Sequence, residues 1–345
     1  MKRKEFLGLT LPVGLGIVAS PGIVRGIPAS ADAAAAAKAK IPQYLVPGDT
    51  IGITSPAGFI TLEGIMPAVK QMEAWGFTVK IGSTIGKRDG GFGGTDAERL
   101  EDMQQMLDDE NVHAVMCARG GYGAVSIIDQ LDFKKFTHRP KWLIGFSDIT
   151  VIHCHVHRQF RIATIHSKMC NSFPSDPSTA DAMQTDTIES IRKALTGAPM
   201  EYVAPHNSQN RPGTCTGQLI GGNLRTIENM AGSASQIKTK GKILFVEDTG
   251  EYLYSIDRMF WNLKRAGMLD HLAGLIVGGF KVTPDTPGEE FGRTLPDIVL
   301  SKVKDQTYPV CFDFPVGHQR NNYALKCGVE HKLTVSGTQT YLTAL

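Results

Sequence analysis

An α/β fold built on a parallel sheet is predicted by three observations. Apolar runs of strand length alternate with helical periodicity from about residue 49 to residue 160. The turns that follow these runs are rich in glycine, which suits tight turns and close approach of the backbone. The texture becomes polar between Pro199 and Gly213 before apolar strands resume, marking a second region.

The elements follow in order. Asp49-Thr-Ile-Gly-Ile-Thr-Ser-Pro-Ala-Gly58 reads as a first strand and its turn, Leu62 to Trp75 as a helix, and Phe77 to Ile81 as a second strand. After the glycines of Gly90 to Gly94, Thr95-Asp-Ala-Glu98 has the form of a capping box, and Leu100, Met103 and Leu107 recur at helical spacing. Val112 to Ala118 reads as a strand, followed by Arg119-Gly-Gly-Tyr-Gly123 and a helix. Trp142, Leu143 and Ile144 form a buried strand ending at Gly145, and Ile149 to Phe160 has the length of a helix with no Gly or Pro inside. Beyond the polar stretch come Gly217 to Asn223, a strand from Lys242 to Val246, a helix from Ser255 to Ala266 and a strand from Leu275 to Phe280. Alternating short strands close the chain from Leu333 to Leu345. These features place an α/β domain at 46–200, a linker at 201–213 and a C-terminal domain at 214–345.

The first residues have another character. Lys2-Arg3-Lys4 precedes an apolar run from Phe6 to about Ala19, and small residues follow from Ala29 to Ala33. This is the order of an export signal, of Sec or degenerate twin-arginine type, over residues 1–33, with a linker at 34–45. A membrane anchor or an unstructured leader would use the same residues. Cleavage would remove the formal net charge of +2 and leave a neutral, exported chain, expected in the periplasm. No later run is long and apolar enough to span a bilayer, so no stable membrane insertion is expected after signal removal. The balanced charge gives no basic field for nucleic acid. Six cysteines without a CxxC pair do not imply a disulfide framework.

Ser147 stands where a strand becomes a helix, beside backbone N–H groups that favour developing negative charge. The setting is that of a nucleophile elbow without its closing glycine, and it also suits Ser147 or Asp148 as a helix N-cap. A hydroxyl needs a base to take its proton and a third group to orient that base. Two later strand ends supply them: Glu247 after Ile243-Leu-Phe-Val246, and His318 after Phe312-Asp-Phe-Pro-Val-Gly317. Gly120 and Gly121 could present N–H groups to an oxyanion, with the N–H of Asp148. Arg119, Tyr122 and Asn223 are candidate substrate contacts. His153, His155, His157 and His166 suggest a metal site, but they lack the glutamate of an HExxH motif and a third ligand at metal-site spacing, so no metal and no cofactor are expected.

Taken together, Ser55-Pro-Ala-Gly58, Phe92 to Asp102, Arg119 to Gly123, Gly145 to Thr150, Gly221 to Leu224, Val246-Glu-Asp248, Asp257-Arg-Met259 and Gly317-His318 resemble the LD-carboxypeptidase family. That family comprises serine peptidases including muropeptide LD-carboxypeptidases and microcin C self-immunity enzymes, and the resemblance runs from about Ile51 to Gly328. It implies Ser147 as nucleophile, Glu247 as orienting acid and His318 as base. It also implies an N-terminal α/β nucleophile domain, a smaller β-rich C-terminal domain and a homodimer with the site between the domains. The expected activity is hydrolysis of an L,D-peptide bond, releasing D-alanine from murein tetrapeptides. The alternatives are hydrolysis of peptidyl or aminoacyl nucleotide conjugates, and binding of cell-wall peptides without turnover. Many relatives place a proline before the glycine that is here Gly328, whereas this chain has Lys326-Cys327.

Overall fold

β1 (Thr50–Thr54) lies inside a six-stranded sheet in a computed structural model that describes residues Lys38–Leu345. The expected export signal and the first residues of its linker lie outside the described residues. The helix α1 (Leu62–Ala74) begins at Thr61, whose hydroxyl accepts from Gly64 N at 3.0 Å. It leads to β2 (Thr78–Ile81), parallel to β1. The helix α2 (Asp96–Asp108) opens with the reciprocal Thr95–Glu98 capping box that the sequence predicts.

Next come β3 (Val112–Cys117), the short helices α3 (Ala124–Ile127) and α4 (Lys134–His138), and β4 (Trp142–Gly145). The helix expected after Gly123 is a single α-turn that tightens into a 3-10 turn over Ile128–Gln130, and the chain is extended at Leu131 before a second short helix starts at Lys134. α5 (Thr150–Phe160), β5 (Thr164–His166) and α6 (Ala182–Thr196) follow. The strands β2, β1, β3, β4 and β5 run parallel in that spatial order. Every residue of β4 is buried, as expected of a parallel strand covered on both faces.

A seven-stranded mixed sheet takes up most of the remaining chain. β6 (Glu201–Pro205) falls within the stretch read as a linker; alternate burial of Tyr202 and Ala204 gives it one covered face, and it lies at the edge of the sheet. β7 (Gly213–Asn223), α7 (Leu224–Asn229), β8 (Ile243–Thr249), α8 (Leu253–Arg265), β9 (Gly274–Lys281), α9 (Leu295–Lys302) and β10 (Val310–Cys311) come next. β7 to β10 are parallel neighbours. β11 (Leu325–Cys327) leaves this sheet and pairs antiparallel with β5 at the edge of the first one. β12 (Glu330–Val335) and β13 (Gln339–Ala344) complete the antiparallel side. No helix among the described residues is long and apolar enough to cross a membrane.

Three loops at the end of the first sheet are tied together by one buried cation. Arg99 of α2 is fully buried and donates to the carbonyls of Pro56 (2.6 Å), Gly123 (2.8 Å) and Gly94 (3.2 Å). Asp102, one turn on, accepts from Ser83 N at 2.8 Å and Thr54 Oγ1 at 2.6 Å. The run from Phe92 to Asp102 therefore braces the rim on which Ser147 sits, because buried charges persist only when so paired.

Candidate active site

Ser147 occupies the left-handed region at φ 62°, an uncommon setting for a residue with a side chain. The chain leaves β4 at Gly145, turns through Ser147–Ile149 and enters α5, so the serine is held out at the end of the sheet. Gly120 lies against it: a Cβ on Gly120 would stand 3.0 Å from Ser147 Cβ and 3.3 Å from its Oγ. The N–H groups of Gly120, Gly121 and Asp148 donate to no other described residue, leaving them available to an anion beside Ser147.

Asp148 faces inward. Its carboxylate accepts from Ala124 N at 2.8 Å, tying the elbow to the Arg119–Gly123 loop. Burial raises its pKa, while the Ala124 N–H and the Arg99 guanidinium oppose the rise. The loop is also pinned from outside, where Gly58 N donates to Gly120 O at 2.8 Å and Arg119 Nη1 donates to Phe59 O at 2.9 Å.

Glu247 and His318 come from the other sheet. Glu247 lies inside β8, not just past its end, because the strand continues to Thr249. Its side chain is fully buried, and Oε2 accepts from His318 Nδ1 at 2.6 Å and from His318 N at 3.1 Å. Gly317 makes this approach possible: it has φ 102°, and a Cβ there would lie 2.3 Å from Glu247 Cβ and 2.7 Å from Oε2. Asn322, also fully buried, accepts from Gly317 N at 2.8 Å and holds the turn. Glu247 Oε1 is buried with no hydrogen-bond partner among the described residues. A buried carboxylate serving one imidazole is costly as a structural device and points to function.

The two halves meet through Phe146, whose ring lies 4.9 Å from the His318 ring, centroid to centroid. The imidazole thus packs on the residue next to Ser147, while its Nδ1–H is directed at Glu247, which leaves Nε2 unprotonated in the neutral tautomer. Lys168 closes this side, donating to Gln319 O at 2.8 Å with its ammonium 5.9 Å from the Phe146 ring. Burial lowers its pKa, against the pull of Glu247. No hydrogen bond joins Ser147 to His318 among the described residues, a contact that substrate-free sites often make only when occupied.

A cleft of about 360 Å³ opens beside the serine, lined by Tyr122, Ser147, Asn223, Arg225, Asp248 and Glu251 among others. Of the candidate substrate contacts, Tyr122 and Asn223 line this cleft and Arg119 does not. Asn223 caps α7 through Thr226 N at 3.0 Å and donates to Asp248 Oδ1 at 2.9 Å. Asp248 also accepts from Arg225 N at 3.0 Å, and burial raises its pKa to about 6. Sequence reasoning did not single out Arg225 or Glu251, since neither ends a strand or sits in a glycine motif.

The histidines of α5 have separate partners. His153 Nε2 meets Gly145 O at 2.9 Å, His155 Nδ1 meets Ser235 Oγ at 2.9 Å, and His157 Nε2 meets Lys242 Nζ at 2.7 Å. Burial lowers the pKa of His153 to about 4 and of His157 to about 3. They brace α5 between the sheets, and His153 supports the carbonyl at the end of β4.

Known proteins match the chain across both sheets. The sequence profile of the LD-carboxypeptidase N-terminal domain matches residues 51–167, and that of the C-terminal domain matches 216–333. The chain is 31% identical to a probable murein peptide carboxypeptidase of Bacillus subtilis, covering 84% of this chain and 90% of the relative. It is 29% identical to the murein tetrapeptide carboxypeptidase of Pseudomonas aeruginosa, over 81% of this chain and 91% of that one. Among solved structures, an MccF-like protein from Bacillus anthracis superposes with a TM-score of 0.76, covering 89% of this chain and 99% of the other at 21% identity, a likeness of fold.

Proposed function

Because the chain belongs to the LD-carboxypeptidase family, a family of peptide hydrolases, we propose that it is a serine carboxypeptidase that cleaves an L,D-peptide bond and releases the terminal D-alanine of a murein tetrapeptide. The observation that carries this reading is the 2.6 Å hydrogen bond from His318 Nδ1 to the buried Glu247, with the same imidazole packed 4.9 Å from the ring that precedes Ser147.

In this mechanism Ser147 Oγ attacks the carbonyl carbon of the scissile bond while His318 Nε2 takes the hydroxyl proton. Glu247 keeps Nδ1–H bonded and stabilises the imidazolium that forms. The tetrahedral oxyanion accepts from the N–H groups of Asp148 and of Gly120 or Gly121, each worth about 3 kcal/mol to the barrier. His318 then gives its proton to the leaving amine, the C–N bond breaks, and D-alanine departs. Water, deprotonated by the same imidazole, attacks the acyl-serine and restores the hydroxyl. The names of the Bacillus and Pseudomonas relatives support murein peptides as the substrate class. We further propose, on the leader alone, that the enzyme is exported.

The test is to offer the purified protein a murein tetrapeptide and, separately, an aminoacyl sulfamoyl nucleotide. Release of D-alanine from the first, with slow or no cleavage of the second, is expected. The reverse preference would replace this reading with a self-immunity type of hydrolase. Tight binding of the peptide with no product would replace it with a binding protein.

A further inference from the structure

A second cleft, of about 350 Å³, opens beside His318 and shares no lining residue with the one that holds Tyr122 and Asn223. Lys168, Ser172, Gln184, Thr187, Ile188 and Arg320 line it, two cations and no acid. Its walls are tied to the reacting groups. Arg320 follows His318 by two residues, and Lys168 donates to the carbonyl of the residue between them, Gln319, at 2.8 Å. The Lys168 ammonium lies 5.9 Å from the Phe146 ring, which packs on His318. Met169, the next residue, stands with Ser147 against Gly120: a Cβ there would lie 3.3 Å from Met169 Cε and 3.0 Å from Ser147 Cβ. The chemistry of this cleft is that of an anion site. An ammonium has three donors, and among the described residues Lys168 gives one of them to Gln319 O. A partly buried cation with a single carbonyl partner is a costly way to hold a loop. Arg320 stands at the rim, 73% exposed, with part of its fork turned to Asp181.

We propose that this cleft receives the carboxylate of the leaving D-amino acid, with Lys168 as its principal partner and Arg320 as a second one at the rim. In a substrate cleaved at its last peptide bond, the terminal carboxylate lies one residue beyond the carbonyl that Ser147 attacks, within about 4 Å of it. It therefore falls beside the imidazole that protonates the leaving amine. Lys168 is the cation that the fold sets there, bonded to the residue next to His318. Its ammonium and the carboxylate form a charge-assisted pair. An interior peptide bond would bring a neutral amide to the same place and leave Lys168 unpaired, so the cleft confines hydrolysis to the chain end. The inference rests on the carboxypeptidase reading and assigns the residues that recognise the terminus.

The test compares two peptides on each protein: a murein tetrapeptide ending in D-alanine, and the same peptide ending in D-alaninamide. For the wild type, kcat/KM should fall about 10²-fold on amidation. In Lys168→Gln this ratio should collapse to within about threefold of one, and in Arg320→Gln it should shrink about threefold. Ratios compare substrates on one protein, so a general loss of activity, or a displacement of His318 through Gln319, does not imitate this pattern. A wild-type ratio near one, or the wild-type ratio retained by folded Lys168→Gln, would overturn the subsite while leaving the reaction in place. Should Lys168→Gln not fold, Arg320→Gln decides, and an unmoved ratio in it overturns the subsite. Cleavage of neither peptide by folded wild type would remove the carboxypeptidase reading itself, and the subsite with it.

Discussion

Ser147 and His318 stand at the ends of two sheets that meet through Phe146, and they are held by opposite means. The serine is placed by backbone: a left-handed φ of 62°, a turn out of a fully buried strand, and a glycine at 120 that leaves room for its side chain. The histidine is placed by side chains: a 2.6 Å bond to Glu247, an aromatic neighbour in Phe146 and a turn held by Asn322. Positioning by backbone is robust to charge and sensitive to volume. Positioning by a buried carboxylate is sensitive to both.

The largest effect should come from charge alone. Glu247→Gln keeps the volume but offers His318 an amide, and kcat should fall about 10⁴-fold with the melting temperature little changed. Near-normal turnover would mean that Glu247 does not orient the base.

Acid should separate the two regions next. His153 and His157 have depressed pKa values of about 4 and about 3, and burial holds His166 well below the usual range. Between pH 6.5 and about 4 the unfolded chain binds protons on these three that the folded chain refuses. Their contribution to stability is present above pH 6.5 and lost as the pH falls. Asp248, raised to about 6, acts the other way: its contribution is full below the ordinary carboxylate value and lost as the pH rises through 6. His331, lowered by burial to about 4, acts with the three histidines, and Asp148, also raised by burial, acts with Asp248. Four histidines outweigh two carboxyls, so stability should drop on acidification, by about 2 kcal/mol per histidine at pH 5 before the offset of the two aspartates. Urea unfolding at pH 7, 6 and 5 checks the sign, and equal or greater stability at pH 5 would contradict it.

Two glycines probe volume. Gly317→Ala puts a Cβ into Glu247 at a left-handed position, so it should lower stability by about 3 kcal/mol and activity with it. Gly120→Ala meets only Ser147 and Met169 at 3.0 to 3.3 Å, so it should lower kcat about 10²-fold by displacing the serine, with little change in melting temperature. Equal behaviour of the two variants, in thermal melts and turnover, would mean that the serine and the histidine are not held by different means. The smallest effect belongs to chelation. Turnover should survive exhaustive treatment with EDTA, and inactivation reversed by zinc would sink the serine mechanism.

Much of the first sheet is legible in the sequence because its strands are continuous apolar runs and its helices carry local start signals such as Thr95–Glu98. Ser147 and His318 can be picked from strand ends and Glu247 from the end of an apolar run, although the strand there continues to Thr249 and spacing alone does not bring the three together. What escapes is what depends on distant partners. Leu325–Cys327 is three residues long with no alternation, and its partner β5 lies some 160 positions earlier. Arg99 reads as an ordinary helix charge until three loops converge on it. Arg225 and Glu251 are separated by β8 and meet only through the parallel pairing of β7 with β8.

The central claim is that Ser147 is the nucleophile of an L,D-peptide hydrolase. Mass-spectrometric detection of D-alanine released from a purified murein tetrapeptide, with wild type beside Ser147→Ala, tests it most directly. Release by the wild type that falls at least about 10⁴-fold in the variant is the predicted result. Equal release by both proteins, or none by folded wild type, would contradict it.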